Sequence, residues 1–472
     1  MLGIPAAPHS SAAPCTPYLI SVFPALISKS SVPGPRPSLP TPANPMSVVS
    51  LPTYSQPPPS SADSPAYTRI PRDNEQRVLL RNRMAQDPIP EGTFTKSSRT
   101  GSLILHLENQ DEGVPVPVYN KGGIVAGSID LQKADNVAAV DLKIQGYLSL
   151  KEIGGAGTAT AKVLSTTLNL FTRSTTPCPS TLHFSQPLPV SYVYEGETYA
   201  LPPSYEVHLS GLPGFRADVS YQVTVVATKN KGNLFGNQTT VSTPIIYFPR
   251  ARPPNPVPVP PSPSVFLSDI NRPNEDWEVI ESTMRSRKQN VAPIQAKLFI
   301  PSGRVFSIKN TLNFRLHLSS SALSLATFLP CSPTEVGASR THSSNKGVTR
   351  VYVIRQTSVD VRNASFVGEK TEIFKLVSIG EASFRRIGDG PDWAAWEGSV
   401  EIDPNVKVGS FKAGGLWVKD CIILSIIPPS PHNSPLLELR QTVPIRLVTE
   451  PFAEGYEFDP AEWSDSDRDA KN

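Results

Sequence analysis

The sequence is poor in cysteine, and its four cysteines, Cys15, Cys178, Cys331 and Cys421, stand far apart. No CxxC or CxxH pair occurs, so neither a disulfide framework nor a zinc site is expected. A reducing compartment is the natural setting for such a chain. Long apolar runs are missing as well, and no stretch approaches the roughly 20 residues that span a bilayer. The mildly apolar segment from Pro17 to Ile27 lacks a basic flank and is broken by Pro24, which argues against a secretory leader. Neither end carries a myristoylation or prenylation motif. Charge of one sign is scarce: the net charge is +3, with both signs interspersed except in an acidic C-terminal stretch. That balance is too small to imply a nucleic-acid surface, and no nucleic-acid partner is expected. A cytoplasmic protein is the resulting expectation. A secreted β-sandwich module is a rival that would need a working leader and glycans at Asn237 or Asn363, both within Asn-x-Ser/Thr triplets.

Catalytic vocabulary is also lacking. No metalloprotease histidine motif, Gly-x-Ser-x-Gly elbow or phosphate-cradling glycine loop appears. His106, His183, His208 and His317 stand singly in strand-like contexts. Cys421 opens an apolar strand and reads as a core filler. Glu401 and Asp403 share one strand face without an evident partner. The expectation is a protein without catalytic residues, metal ligands or cofactor, hence not an enzyme.

What the chain has in abundance is proline, 51 of 472 residues, about twice the usual share of about 5 %. Proline at that density cannot be spread through helices. Residues 1–98 are rich in Ser, Pro and Ala, hold no sustained period and read as a disordered arm, with a weakly helical patch around Asn74 to Met84. From 99 to 249 the texture is that of strands. Ser102 to Leu107 and Ile124 to Leu131 flank a Gly122-Gly123 turn. Val140, Leu142 and Ile144 alternate with polar residues, as do Val219, Tyr221, Val223 and Val225, the period of half-buried strands. Residues 250–291 form a proline-rich linker, read as an extended spacer more readily than as an SH3 ligand. Within it, Trp277, Ile280 and Met284 have helical spacing, so a short helix is expected between Asn274 and Lys288. A second strand-rich region spans 292–452, with candidates at Phe314–Leu318, Arg350–Val361, Ile373–Val377, Ser399–Ile402 and Cys421–Ile427. Cys331 to Lys346 reads as a long polar loop, and 453–472 as an acidic tail. The fold class is therefore all-β, two tandem sandwiches with irregular arms.

Three groups of segments resemble the arrestin family, and within it the fungal arrestin-related trafficking adaptors. Pro117-Val118-Tyr119 with Val125-Ala126-Gly127-Ser128-Ile129 is similar to the family's early hairpin. Leu201-Pro202-Pro203-Ser204-Tyr205 followed by Val219-Ser220-Tyr221-Gln222-Val223 is similar to its mid-domain pair. Pro428-Pro429 and Val443 to Thr449 with Pro451-Phe452 are similar to its last strand. The resemblance covers residues 100–452 and implies two arrestin-like, immunoglobulin-like sandwiches. It further implies an adaptor that links membrane-protein cargo, such as transporters or receptors, to a WW-domain HECT-type ubiquitin ligase for ubiquitin-dependent endocytosis. Recruitment to the plasma membrane or endosomes would follow. The alternative is an arrestin-like signalling or sorting scaffold that recruits no ligase.

Ligase recruitment in that family uses PPxY-type peptides, whose polyproline helix is preformed and whose tyrosine enters an aromatic groove. Pro202-Pro203-Ser204-Tyr205 has the full pattern, yet Tyr205 shares a face with Val207 and Leu209, which points to packing. Leu51-Pro52-Thr53-Tyr54 is a variant lacking the first proline but placed in the arm. Leu51, Pro52 and Tyr54 are therefore the expected ligase contacts. Pro65 and Tyr67 of Ser64-Pro65-Ala66-Tyr67 form a weaker second variant that would add avidity.

Overall fold

The computed structural model describes residues 90–155, 157–229, 238–272, 275–334, 349–362 and 370–454. Alternation of apolar and polar residues builds nearly everything in it. The first half of the described chain contains β1 (Gly92–Ser97), β2 (Leu103–Gln110), β3 (Val118–Tyr119), β4 (Ile124–Leu131), β5 (Val137–Ile153) and β6 (Thr158–Thr172). It continues with β7 (Thr181–Pro187), β8 (Ser191–Tyr194), β9 (Glu197–Ala200), β10 (Tyr205–Leu209), β11 (Gly214–Lys229) and β12 (Gln238–Tyr247).

One layer has the order β1-β2-β4-β7, and the facing layer β3-β12-β11-β5-β6, with β10 also beside β11. Leu103, Leu105, Leu107, Val125 and Ile129 from one layer meet Val140, Leu142, Ile144, Val223 and Val225 from the other. Gly146 interrupts this apolar series on β5 because a Cβ there would lie 2.5 Å from the Tyr221 ring. The ladder between β5 and β6 shifts register at the same point. Gly92–Ser97 was expected to belong to the irregular arm, and it is instead the edge strand β1. Its main chain pairs with β2, while most of its side chains stay exposed, so it carries no apolar period to be recognised by.

The second half begins with α1 (Pro263–Ser268), followed by β13 (Trp277–Met284), β14 (Ile294–Pro301), β15 (Val305–Ser307), β16 (Leu312–Ser319) and α2 (Ala322–Phe328). Then come β17 (Thr349–Arg362), β18 (Lys370–Asp389), β19 (Trp393–Val400), β20 (Phe411–Ala413), β21 (Leu416–Ile426) and β22 (Leu439–Val448). They form one curled sheet in the order β13-β14-β16-β19-β18-β17-β21-β22-β15, with β20 beside β21.

The sheet folds over at β18, which passes from one layer to the other. Its residues up to Glu381 pair with β17, and those from Ala382 onward pair with β19. Gly380 stands at the crossing, where a Cβ would lie 2.6 Å from the Glu401 carbonyl oxygen. The enclosed core collects Ile294, Ala296, Leu298, Phe314, Leu316, Leu318, Val351, Val353, Ile422 and Leu424. Both halves are thus all-β sandwiches of immunoglobulin-like character.

The expected helix between Asn274 and Lys288 is corrected to a strand. Trp277–Met284 pairs residue by residue with β14, so the second sheet takes in residues that the sequence placed in the linker. The seven-residue spacing of Trp277 and Met284 suggested two helical turns, but on a strand an odd spacing puts the two on opposite faces. Met284 enters the enclosed core, and Trp277 packs with Phe266 and Phe299 on the outer face. Val279, Ile280 and Thr283 supply the β-branched character that favours the strand. The linker before it runs without regular structure to Ser262 and is stitched to the residues that follow β22. Ala251 N donates to Thr449 Oγ1 at 2.9 Å, and Glu450 N to Ala251 O at 2.9 Å.

Candidate functional site

The most elaborated polar site lies where the two sandwiches meet, and it follows from the pattern of two long strands. On β17 the inward positions read Val351, Val353, Arg355, Thr357, Val359 and Val361. On β21 they read Leu416, Val418, Asp420, Ile422, Leu424 and Ile426. Val351, Val353, Ile422 and Leu424 belong to the core of the second sandwich. Val359, Val361 and Leu416, with Ile373 and Ala413, belong to the core of the first. One sheet face therefore serves two cores, and a polar pair marks the boundary between them.

Arg355 and Asp420 are register partners on the adjacent strands. Arg355 Nε donates to Asp420 Oδ1 at 2.8 Å and Nη2 to Oδ2 at 2.9 Å, a two-pronged pair. The carboxylate side chain is fully buried and the guanidinium nearly so. Arg355 Nη1 donates to Val408 O at 2.9 Å, and Ser410 Oγ to Asp420 Oδ2 at 2.7 Å. Leu447 N in turn donates to Ser410 Oγ at 2.9 Å, which ties β22 to the same cluster. The charges answer one another inside the protein, and the cluster ties β17, β21, β22 and the segment before β20 together within the second sandwich.

Tyr205 reaches this cluster from the first sandwich. Its hydroxyl lies 3.2 Å from Thr357 Oγ1, and its ring meets Phe411 edge-on with centroids 5.3 Å apart. Burial pushes the phenol up from its usual pKa, while the Thr357 hydrogen bond and the Arg355 charge oppose this. Pro202 and Pro203 are buried. Their segment is pinned to β12, with Ser204 N donating to Tyr247 O at 2.8 Å and Tyr247 N to Ser204 Oγ at 3.0 Å. The PPSY prolines line a cleft of about 110 Å³ between the sandwiches, together with Arg250, Phe411, Lys412 and Arg446. Further ties cross the joint. Gly414 N donates to Tyr192 Oη at 2.9 Å, and Lys375 Nζ to His208 O at 2.9 Å. Gly415 has a φ of +82°, and neighbouring Gly414 has no room for a side chain, since a Cβ would lie 2.2 Å from the Tyr194 ring.

The other expected site residues are dispersed. Leu51, Pro52 and Tyr54 lie outside the described residues, as do Pro65 and Tyr67 and the patch from Asn74 to Met84. Cys331 and Cys421 are raised to about 11 by burial, which keeps them as thiols at neutral pH. His106 is less solitary than the sequence suggests: it lies 3.0 Å from Thr95 Oγ1 and 3.1 Å from Asp130 Oδ2, and Thr181 Oγ1 donates to Asp130 Oδ1 at 2.8 Å. These four side chains belong to β1, β2, β4 and β7 and form a polar row across an outward sheet face, a cross-strand ladder. Among the described residues, no group of three or more His, Cys, Asp or Glu could hold a metal ion. No described helix is long and apolar enough to cross a membrane.

Sequence reasoning missed Arg355 and Asp420. The available signal was a charge at an inward position of an otherwise apolar alternation, once on each strand. Comparison with known proteins finds no matching family model and no matching curated sequence.

Proposed function

We propose that the chain is an arrestin-like adaptor: the joined sandwiches bind membrane-protein cargo, and Leu51-Pro52-Thr53-Tyr54 recruits a WW-domain ubiquitin ligase. Cargo brought to the ligase would be ubiquitylated and internalised, with the adaptor moving between the cytoplasm and the plasma membrane or endosomes. The observation that carries this reading is the two-sandwich architecture, joined by a shared apolar face and crossed by Tyr205, Tyr192 and Lys375, which offers a broad surface suited to holding partners. The fate of the PPSY motif supports the choice of ligase contact. A WW groove needs an exposed proline ridge, whereas Pro202 and Pro203 are buried and Tyr205 is held in the joint. That leaves the LPTY segment as the better candidate.

The test is a pull-down of the full chain with WW domains, alongside Tyr54→Ala and Tyr205→Ala. Loss of a WW anchor costs about 2 kcal/mol or more, roughly thirtyfold in affinity. Tyr54→Ala is expected to abolish capture without changing the melting temperature. Tyr205→Ala is expected to keep capture and melt lower. Failure of the intact chain to bind any WW domain would remove the ligase from the reading and leave the scaffold that sorts cargo through its sandwich faces alone.

A further inference from the structure

The outer face of the second sandwich contains a chamber unrelated to the joint. Helix α1 and the proline-rich segment before it lie over this face and border a partly open cavity of about 200 Å³ walled by Phe266, Trp277, Val279 and Phe299. Phe266 and Phe299 meet edge-on with centroids 4.8 Å apart. Into this apolar space β16 sends Arg315, which is only 2 % exposed. Alternation explains its direction. Phe314 and Leu316 turn into the enclosed core, so residue 315 turns outward, and α1 then covers it.

The guanidinium is under-used there. Arg315 Nη2 donates to Pro261 O, and the Cζ lies 4.6 Å from the centre of the Phe266 ring. Glu397 Oε2 is 3.7 Å from Nη2, beyond hydrogen-bond range, and the Glu397 carboxylate already accepts from Arg385 Nε at 2.6 Å. Arg315 Nε and Nη1 are buried with no partner among the described residues. Burial pulls the guanidinium below its usual pKa, with Glu397 opposing. Unmade hydrogen bonds on a buried charged group are unfavourable, and a guanidinium is shaped to satisfy them with a carboxylate. At the rim, Asp269 pairs with Arg272 at 2.9 Å.

We propose that this chamber binds a small monocarboxylate with an apolar or aromatic body, its carboxylate accepting from the unused donors of Arg315. The body would lie among Phe266, Trp277 and Phe299. Size fits: an engineered apolar cavity of about 150 Å³ takes up benzene, so this chamber has room for a ring and a carboxylate. Charge fits as well. One guanidinium offsets one negative charge, and a dianion would bring a second into apolar walls without compensation.

The experiment is a calorimetric titration of the full chain with benzoate and with octanoate, using benzyl alcohol as the uncharged control. Saturable binding of the carboxylates is expected, with benzyl alcohol at least about tenfold weaker. Arg315→Met should weaken carboxylate binding by about tenfold or more. Because that variant removes a buried charge and its fold is at stake, Val279→Trp provides a second arm. Val279 is partly exposed on the chamber wall, so a larger side chain there should block entry while the melting temperature holds. Absence of saturable heat with folded wild-type protein would overturn the proposal. So would benzyl alcohol binding as tightly as benzoate, or full carboxylate affinity in folded Val279→Trp.

Discussion

His317 lies two residues beyond Arg315 on the same outer face, stacked on Trp393 with ring centroids 6.0 Å apart. Burial first, and then the Lys297 charge, pull its pKa from 6.5 down to about 4, with Asp392 opposing. As pH falls, the unfolded chain takes up the proton near pH 6.5 and the native chain only near pH 4. Native stability from this residue is therefore complete above the upper value and is lost progressively as pH falls toward the lower one. The loss amounts to at most about 3 kcal/mol. His317→Phe keeps the ring stack and removes the titration. Urea melts of both proteins across this window should show the wild type losing more stability than the variant on acidification. Parallel curves would show that His317 accepts its proton without opposing the fold.

Strands β17 and β21 each cross from one core to the other, and their energetics turn on a single pair. Asp420→Ala would leave the Arg355 charge buried without its partner, at a cost of about 3–5 kcal/mol. Arg355→Met combined with Asp420→Leu should recover most of that loss, because apolar residues of similar volume often match a buried ion pair. Denaturant melts of the two single variants and the double would measure the coupling, and additive losses would mean that the two side chains act independently. At this scale much was legible in the sequence. The alternation of Val140, Leu142 and Ile144 announced β5, and that of Phe314, Leu316 and Leu318 announced β16. Edge strands were harder. Gly92–Ser97 shows no apolar period, and Trp277–Met284 divides its apolar residues between two environments. The joint was harder still. Tyr205 had a legible direction, but the surface it meets comes from residues some 150 positions away, and no local pattern encodes such a meeting.

Two sandwiches in one chain usually meet through modest, polar surfaces that permit relative motion. Here Val359, Val361, Ile373, Ala413 and Leu416 complete the first sandwich's core, so the halves are joined by an apolar surface. A protease site inserted between Asn255 and Pro256, both exposed, should yield a nicked protein whose two fragments elute together in native buffer and separate only in denaturant. Separation without denaturant would mean that the covalent tether, and not the joint, keeps the halves paired.

The shared face also has a consequence in time. Synthesis delivers the last of the first sandwich's own strands at Tyr247, about 170 residues before Leu416 emerges, a lag of roughly ten to thirty seconds at ordinary elongation speeds. Throughout that interval the surface that Leu416 and Ala413 will cover faces water. A nascent chain that folds at this stage would carry an open apolar flank, which is the condition in which chains adhere to one another or are taken up by chaperones.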